Sequence, residues 1–256
     1  TVTIGTGDKA ITLGGENALP LQSFDAPFAN APKVGIEITD FGMEHEPECI
    51  QKYYEGCSSI ADIAKKAASF EGVDFLSFRL EGGDPNGANK STDELIAMVK
   101  EVAEAVDLPL VICGSKNAER DAELLGKAAE AVQGKNALIL AAKEENYKTV
   151  GAAAGLAYNQ VVGAESSVDI NLAKQLNVLL SQLGVKPESV VMNVGTAAAG
   201  YGYEYVASTM QRVKSAALSQ NDAQLQMPII TPVASETWST KEATQAEADT
   251  PECGDQ

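Results

Sequence analysis

Seven β-rich runs alternate with stretches of helical periodicity across residues 33–234, and this alternation constrains the fold more than any other feature. The runs are Val34–Thr39, Asp74–Leu80, Leu110–Cys113, Ala137–Ala141, Val161–Ala164, Val190–Val194 and Pro228–Val233. Between them the pattern predicts helices over Ser59–Phe70, from Ser91 through Val106, over Glu119–Val132 and Glu145–Tyr158, from Asp169 to the residue before Gly184, and over Tyr203–Ser219. Ile60, Ile63, Ala64, Ala67 and Ala68 fall on one face of the first helix. Ser91 with Glu94 has capping-box spacing, followed by inward Leu95, Met98, Val99 and Val102.

Units of roughly thirty residues, strand then helix, point to a parallel sheet with right-handed crossovers. A doubly wound sheet usually opens with GxGxxG after its first strand, whereas this chain has Thr39-Asp40-Phe41-Gly42. A (β/α)8 TIM barrel fits better, its usual size being about 250 residues. Only seven strands are found, because the region after Val233 is polar and acidic. The expectation is a barrel without its last β/α unit, and a chain, starting at Thr1 without Met, that is processed or part of a longer product. Val2–Gly5 and Ala10–Leu13 alternate around Thr6-Gly7-Asp8-Lys9, which predicts a hairpin plugging the barrel's N-terminal face. Three segments follow: a hairpin extension (1–32), the TIM-barrel domain (33–234), and an acidic segment (235–256) leading towards the missing unit.

Composition excludes several function classes. The 256 residues hold 19 Lys and Arg against 36 Asp and Glu, a net charge of −17. Binding to nucleic acid or anionic membranes needs clustered cations, so neither is expected. No apolar run is long enough to cross a membrane. Cys49, Cys57, Cys113 and Cys253 show no CxxC spacing, arguing against a zinc or iron–sulfur site in this chain and suggesting reduced thiols in a cytoplasm. The single histidine, His45, lies in Glu44-His45-Glu46-Pro47-Glu48, so no Ser-His-Asp or Cys-His pair can be assembled. Asp40 with Glu44 is the nearest approach to an acid–base pair, and it reads as a solvated turn.

Barrel chemistry sits at the C-terminal ends of the strands. That rule selects Thr39-Asp40, Arg79–Pro85, Gly114–Asn117, Lys143–Asn146, Glu165–Ser167, Asn193–Tyr203 and Thr231-Pro232. The Arg79–Gly87 loop is long, polar and glycine-rich. The Asn193–Tyr203 loop is made of small residues and lacks the GKS or GKT of a Walker A. Small residues let a backbone approach a flat ligand or another subunit closely.

Several motifs in one order carry a family resemblance over almost the whole chain. They are Gly14-Gly15-Glu16 with Leu19-Pro20, Ser167–Asn177, Gly200-Tyr201-Gly202-Tyr203-Glu204-Tyr205, Ser208–Arg212, Met227-Pro228-Ile229-Ile230, Glu236-Thr237-Trp238 and Lys241-Glu242-Ala243. In these the chain resembles the small (delta) subunit of the corrinoid iron–sulfur protein of the acetyl-CoA synthase/decarbonylase (CO dehydrogenase) system of anaerobes. The resemblance implies a TIM barrel in a heterodimer with a large corrinoid iron–sulfur subunit. That partner would carry the [4Fe–4S] cluster, with cobalamin shared at the interface. It implies methyl transfer between a methyl-tetrahydropterin methyltransferase and acetyl-CoA synthase, in either direction, in the cytoplasm. Asn193, Thr196, Gly200, Tyr201 and Gly202 are then expected to face the cofactor, with Arg79, Asp84 and Thr231 as further candidates. Family members tend to show Asp-Pro-Thr after the sixth strand, where this chain has Asn193-Val194 before Gly195-Thr196; an amide there can still hydrogen-bond a corrin side chain. They also continue past a Trp-Gly-Asp-like position, here Cys253-Gly254-Asp255, into a final strand and helix. Two other readings are a stand-alone pterin-binding methyltransferase barrel using Asp40, Asn117 and Asn193, and a purely structural subunit organising the complex.

Overall fold

The computed structural model describes residues 1–19, 24–245 and 248–249. Pro20, of the motif beginning at Gly14, and Cys253-Gly254-Asp255 lie outside them. Strands β1 (Val2–Ile4) and β2 (Ile11–Leu13) pair antiparallel, Val2 opposite Leu13. The remaining strands are β3 (Gly35–Thr39), β4 (Phe75–Arg79), β5 (Leu110–Cys113), β6 (Leu138–Ala142), β7 (Val161–Glu165), β8 (Val190–Asn193) and β9 (Ile229–Ile230). They form one parallel sheet in sequence order, β3 to β9, as seven right-handed units predict.

Helices α1 (Glu48–Tyr53), α2 (Ile60–Ala68), α3 (Thr92–Ala105), α4 (Ala118–Ala131), α5 (Tyr147–Val150), α6 (Ile170–Leu183), α7 (Tyr203–Ser219) and α8 (Val233–Thr237) join them. Their starts follow from side-chain caps that accept the first free amides. The Ser91 hydroxyl accepts from the Glu94 amide, and Asp169 accepts from Asn171 and Leu172. The reciprocal capping box forms at Ser59 and Asp62. Gly184, at φ 108°, ends α6 in the left-handed conformation that glycine adopts without strain.

Three local differences from the sequence pattern have physical causes. The helix expected over Glu145–Tyr158 is α5 passing into a wide π-type turn, Gly151–Ala157. A Cβ on Gly151 would come within 2.8 Å of Leu180 and 2.9 Å of Leu183, so only glycine lets this segment lie so close to α6. The last strand is two residues long because Pro228 and Pro232 flank it and donate no ladder hydrogen bonds. The chain then turns into α8, where strand was expected to continue. Helix α1 was not expected, since Cys49 and Ile50 alone give it an apolar side.

Alternation along each strand builds two cores. Leu76, Phe78, Ile112 and Ile139 face the helices and join the larger cluster with Leu95, Leu124, Leu176 and Leu180. Burying one such side chain contributes about 1.5–3 kcal/mol. Val111, Leu138, Leu140, Val161 and Val191 face the inside of the curled sheet, where Val2 and Ile4 of the hairpin pack against them. The hairpin therefore closes the N-terminal end as predicted; the Gly5 amide donates to the Asn136 carbonyl and Asn136 Nδ2 to that of Thr3.

The edges of β3 and β9 are not paired to each other. Between them opens a seam of about 880 Å³, walled by Val34 and Gly35 on one side and Ile229 and Ile230 on the other. The result is a curled, TIM-barrel-like sheet left open between β3 and β9.

Candidate functional site at the barrel mouth

Above the apolar plug, the inward positions turn polar. Strand alternation puts Glu37 on β3 and Ser77 and Arg79 on β4 inside the barrel, with Cys113 on β5 beside Arg79 in register. Arg79 Nε and Nη2 each donate to a Glu37 carboxylate oxygen at 2.9 Å. Arg79 is only 6% exposed, so this two-armed pair lies largely out of water, where charge-assisted bonds are strong and an unpaired charge is costly. The Ser77 hydroxyl lies 3.3 Å from Glu37 and 3.4 Å from the Cys113 sulfur. Burial pushes the Cys113 thiol up to about 11, so at neutral pH it is protonated and a poor nucleophile.

Across the mouth, Lys143 Nζ is 3.1 Å from Glu165, and Asn193 Nδ2 donates to the same carboxylate at 3.3 Å. Asn193 Oδ1 accepts from the Gly195 amide, fixing the start of the small-residue loop. On a third side, Asp121 accepts from both the amide and the hydroxyl of Ser115. Burial raises its pKa, although those hydrogen bonds oppose the rise.

A cavity of about 260 Å³ is lined by Arg79, Asp121, Lys143, Glu165, Asn193 and Thr196, while Glu37 and Ser77 line the seam below it. A second lobe of about 410 Å³, lined by Phe41, His45, Glu81 and Asp84, shares Arg79 and Lys116 with the first. The Thr196 hydroxyl oxygen is buried and has no hydrogen-bond partner. Beside it, Ser167 and Val168 hold φ values of +43° and +65°. A β-branched residue in that region is strained, and such strain concentrates at ligand sites.

The structure brings Arg79, Asn193 and Thr196 together in one lobe and puts Asp84 in the other. Gly200, Tyr201 and Gly202 sit outside both, on the exposed approach to α7. Tyr201 is 57% exposed and donates to Glu242 at 2.5 Å. Thr231 lines the seam and not the mouth. Asp40 is committed locally, accepting from the Gly82 amide at 2.8 Å and pairing with Lys90 at 2.9 Å. Asn117 caps α4. His45 packs against the Phe41 ring at 4.7 Å. Among the described residues no three His, Cys, Asp or Glu side chains converge as a metal-binding set, and no helix is long and apolar enough to cross a membrane.

Sequence reading missed Asp121, Ser235 and Glu236 of the smaller cavity, and the inward Glu37, which braces Arg79 from the seam side, with Ser77 beside it. Glu37 and Ser77 lie two positions before Thr39 and Arg79, so a polar residue in step with the inward face of a buried strand was the available signal.

A family model described as CO dehydrogenase/acetyl-CoA synthase delta subunit matches residues 1–248. The chain is 36% identical over 231 residues to the acetyl-CoA decarbonylase/synthase complex subunit delta of Methanothermobacter thermautotrophicus, covering 89% of this chain and 58% of that protein. It is 31% identical over 252 residues to the subunit of the same name from Archaeoglobus fulgidus, covering 96% and 55%. The chain thus spans about half the length of the curated relatives it matches. Among solved structures, 7,8-dihydropteroate synthase from Vibrio fischeri ES114 shares the fold at a TM-score of 0.50 and 12% identity, over 90% of this chain and 78% of that one. The order of motifs, the open barrel and the match over nearly the full sequence agree: the chain belongs to the delta-subunit family of CO dehydrogenase/acetyl-CoA synthase.

Proposed function

We propose that the barrel mouth forms one wall of a corrinoid site, covering cobalamin that a large corrinoid iron–sulfur subunit also holds. In this reading the [4Fe–4S] cluster belongs to that partner. The heterodimer works in the cytoplasm, between a methyl-tetrahydropterin methyltransferase and acetyl-CoA synthase. The orphaned Thr196 hydroxyl carries the reading: a buried hydroxyl without a partner is costly and calls for a ligand group. The two-lobed cleft and the small-residue loop beside it suit a broad, flat molecule edged with amides.

When bound, cobalamin would supply the cobalt centre that accepts and releases the methyl group. The chain's own residues bind and exclude water. Arg79, Asn193 and Thr196 would meet the cofactor from the first lobe and Asp84 from the second. The exposed Gly200-Tyr201-Gly202 approach would flank it and Thr231 the seam side. The Glu37–Arg79 pair holds the floor rigid. Cys113, beside Arg79, is a buried, protonated thiol and so a poor nucleophile.

The stand-alone pterin methyltransferase reading has less support, because Asp40 and Asn117 are occupied with local structure and Asn193 alone of its three residues reaches the mouth. Among the described residues, none pairs between β3 and β9 as an eighth strand of the sheet. An absorbance titration with cobalamin tests the function: weak binding by this chain alone and tight binding by its mixture with the corrinoid subunit are expected. Tight binding by the chain alone would overturn the shared site.

A further inference from the structure

Every cation at the smaller lobe already has an acidic partner. Arg79 is paired with Glu37 at 2.9 Å, Lys143 with Glu165 at 3.1 Å and Lys116 with Glu236 at 3.2 Å. An anion entering this lobe would find no unneutralised positive charge and would face Glu165 and Asp121 directly. A cation would face the Arg79, Lys116 and Lys143 charges that line the same lobe. What remains open is hydrogen-bonding capacity of both kinds. The Thr196 hydroxyl can donate and accept. Arg79 uses Nε and Nη2 on Glu37, leaving Nη1 as a further donor, and each Glu165 oxygen has a second lone pair beyond its contact with Lys143 or Asn193. A cavity of about 260 Å³ is far too small for a macrocycle and ample for one side arm.

We infer that this lobe is a carboxamide pocket, receiving a single neutral primary amide arm from the rim of the bound corrin. The amide oxygen accepts from Arg79 and the amide nitrogen donates to Glu165, with the Thr196 hydroxyl completing the set. This inference rests on the corrinoid reading and deepens it, because it assigns the lobe to an arm and not to the ring or the metal. It also accounts for the strained Ser167-Val168 pair, which holds the pocket's rim in place before the arm arrives.

The test uses the complex of this chain with the corrinoid subunit and measures equilibrium binding of cobalamin and of its monocarboxylic derivatives, each with one peripheral amide hydrolysed to an acid. One derivative is expected to bind at least tenfold more weakly than cobalamin, because its carboxylate meets Glu165. In Glu165→Gln the gap between that derivative and cobalamin should narrow or reverse, since the repelling carboxylate is gone and Lys143 is then free to pair with the acid. Thr196→Val should weaken cobalamin about tenfold and leave the thermal midpoint of the complex within a few degrees. Equal binding of all derivatives by a complex that holds cobalamin would overturn the pocket while leaving the corrinoid site standing. Failure of the complex to bind any of them would overturn both.

Discussion

Glu37 and Arg79 stand on neighbouring strands, two register positions apart, and are joined inside the barrel by two charged hydrogen bonds of 2.9 Å each. The pair divides the molecule's interior. Below it lies the apolar plug of Val2, Ile4, Val111 and Leu138; above it lies the polar mouth. Removing one partner leaves the other charge buried. Arg79→Met should therefore destabilise the chain by about 3–5 kcal/mol in urea unfolding, and Glu37→Leu combined with Arg79→Met should recover much of that loss. A double variant no more stable than the single would show that the pair's geometry, not its charge, matters.

Gly82 sits where a Cβ would come within 2.2 Å of Asp40 Oδ2 and 2.8 Å of the Lys90 side chain. Gly82→Ala would thus break the clamp tying the first and second strand loops together. Thermal denaturation should report a loss of about 1–3 kcal/mol.

Lys214 on α7 lies 3.0 Å from Glu16 and anchors the segment after the hairpin. Burial pushes the Glu16 pKa up, but the charge of Lys214 and hydrogen bonding more than offset it, so the net shift is down from 4.5. A carboxylate with a lowered folded-state pKa contributes stability above its unfolded value and loses it as pH falls through the folded one. Amide exchange around residues 14–18 should accelerate as pH drops below about 4.5, once intrinsic exchange rates are corrected for pH. In Lys214→Ala this region should already exchange faster at neutral pH, and its acid dependence should shrink.

Val168 holds φ +65° at the mouth. Val168→Gly should relieve strain and raise stability by about 1 kcal/mol. If the strain serves binding, cobalamin retention by the complex should fall in the same variant.

Much of this architecture was written in the sequence. The runs at Leu110–Cys113 and Tyr203–Ser219 are the observed β5 and α7, and the hairpin was legible from its alternation. Period and caps carry that information because they are local. The mouth was only partly legible. Asn193, Thr196 and Arg79 follow from the rule that barrel chemistry lies at strand ends. Glu37 and Asp121 do not, because they enter the site through register and helix packing, which join residues far apart in the chain. Thr231 and Tyr201 were grouped with the mouth for the converse reason: position in a loop does not state which way the loop leans. The seam, not the mouth, receives Thr231 because Pro232 and α8 turn the chain there.

The central claim is that the barrel mouth faces the corrinoid partner. Hydrogen exchange of this chain, free and in the complex loaded with cobalamin, tests it most directly. Protection should appear at Gly114–Asn117, Glu165–Val168 and Asn193–Tyr203, with the hairpin and the outer faces of α3 and α4 unchanged. Protection confined to those outer helices or to the hairpin end, with the mouth loops exchanging as freely as before, would contradict it.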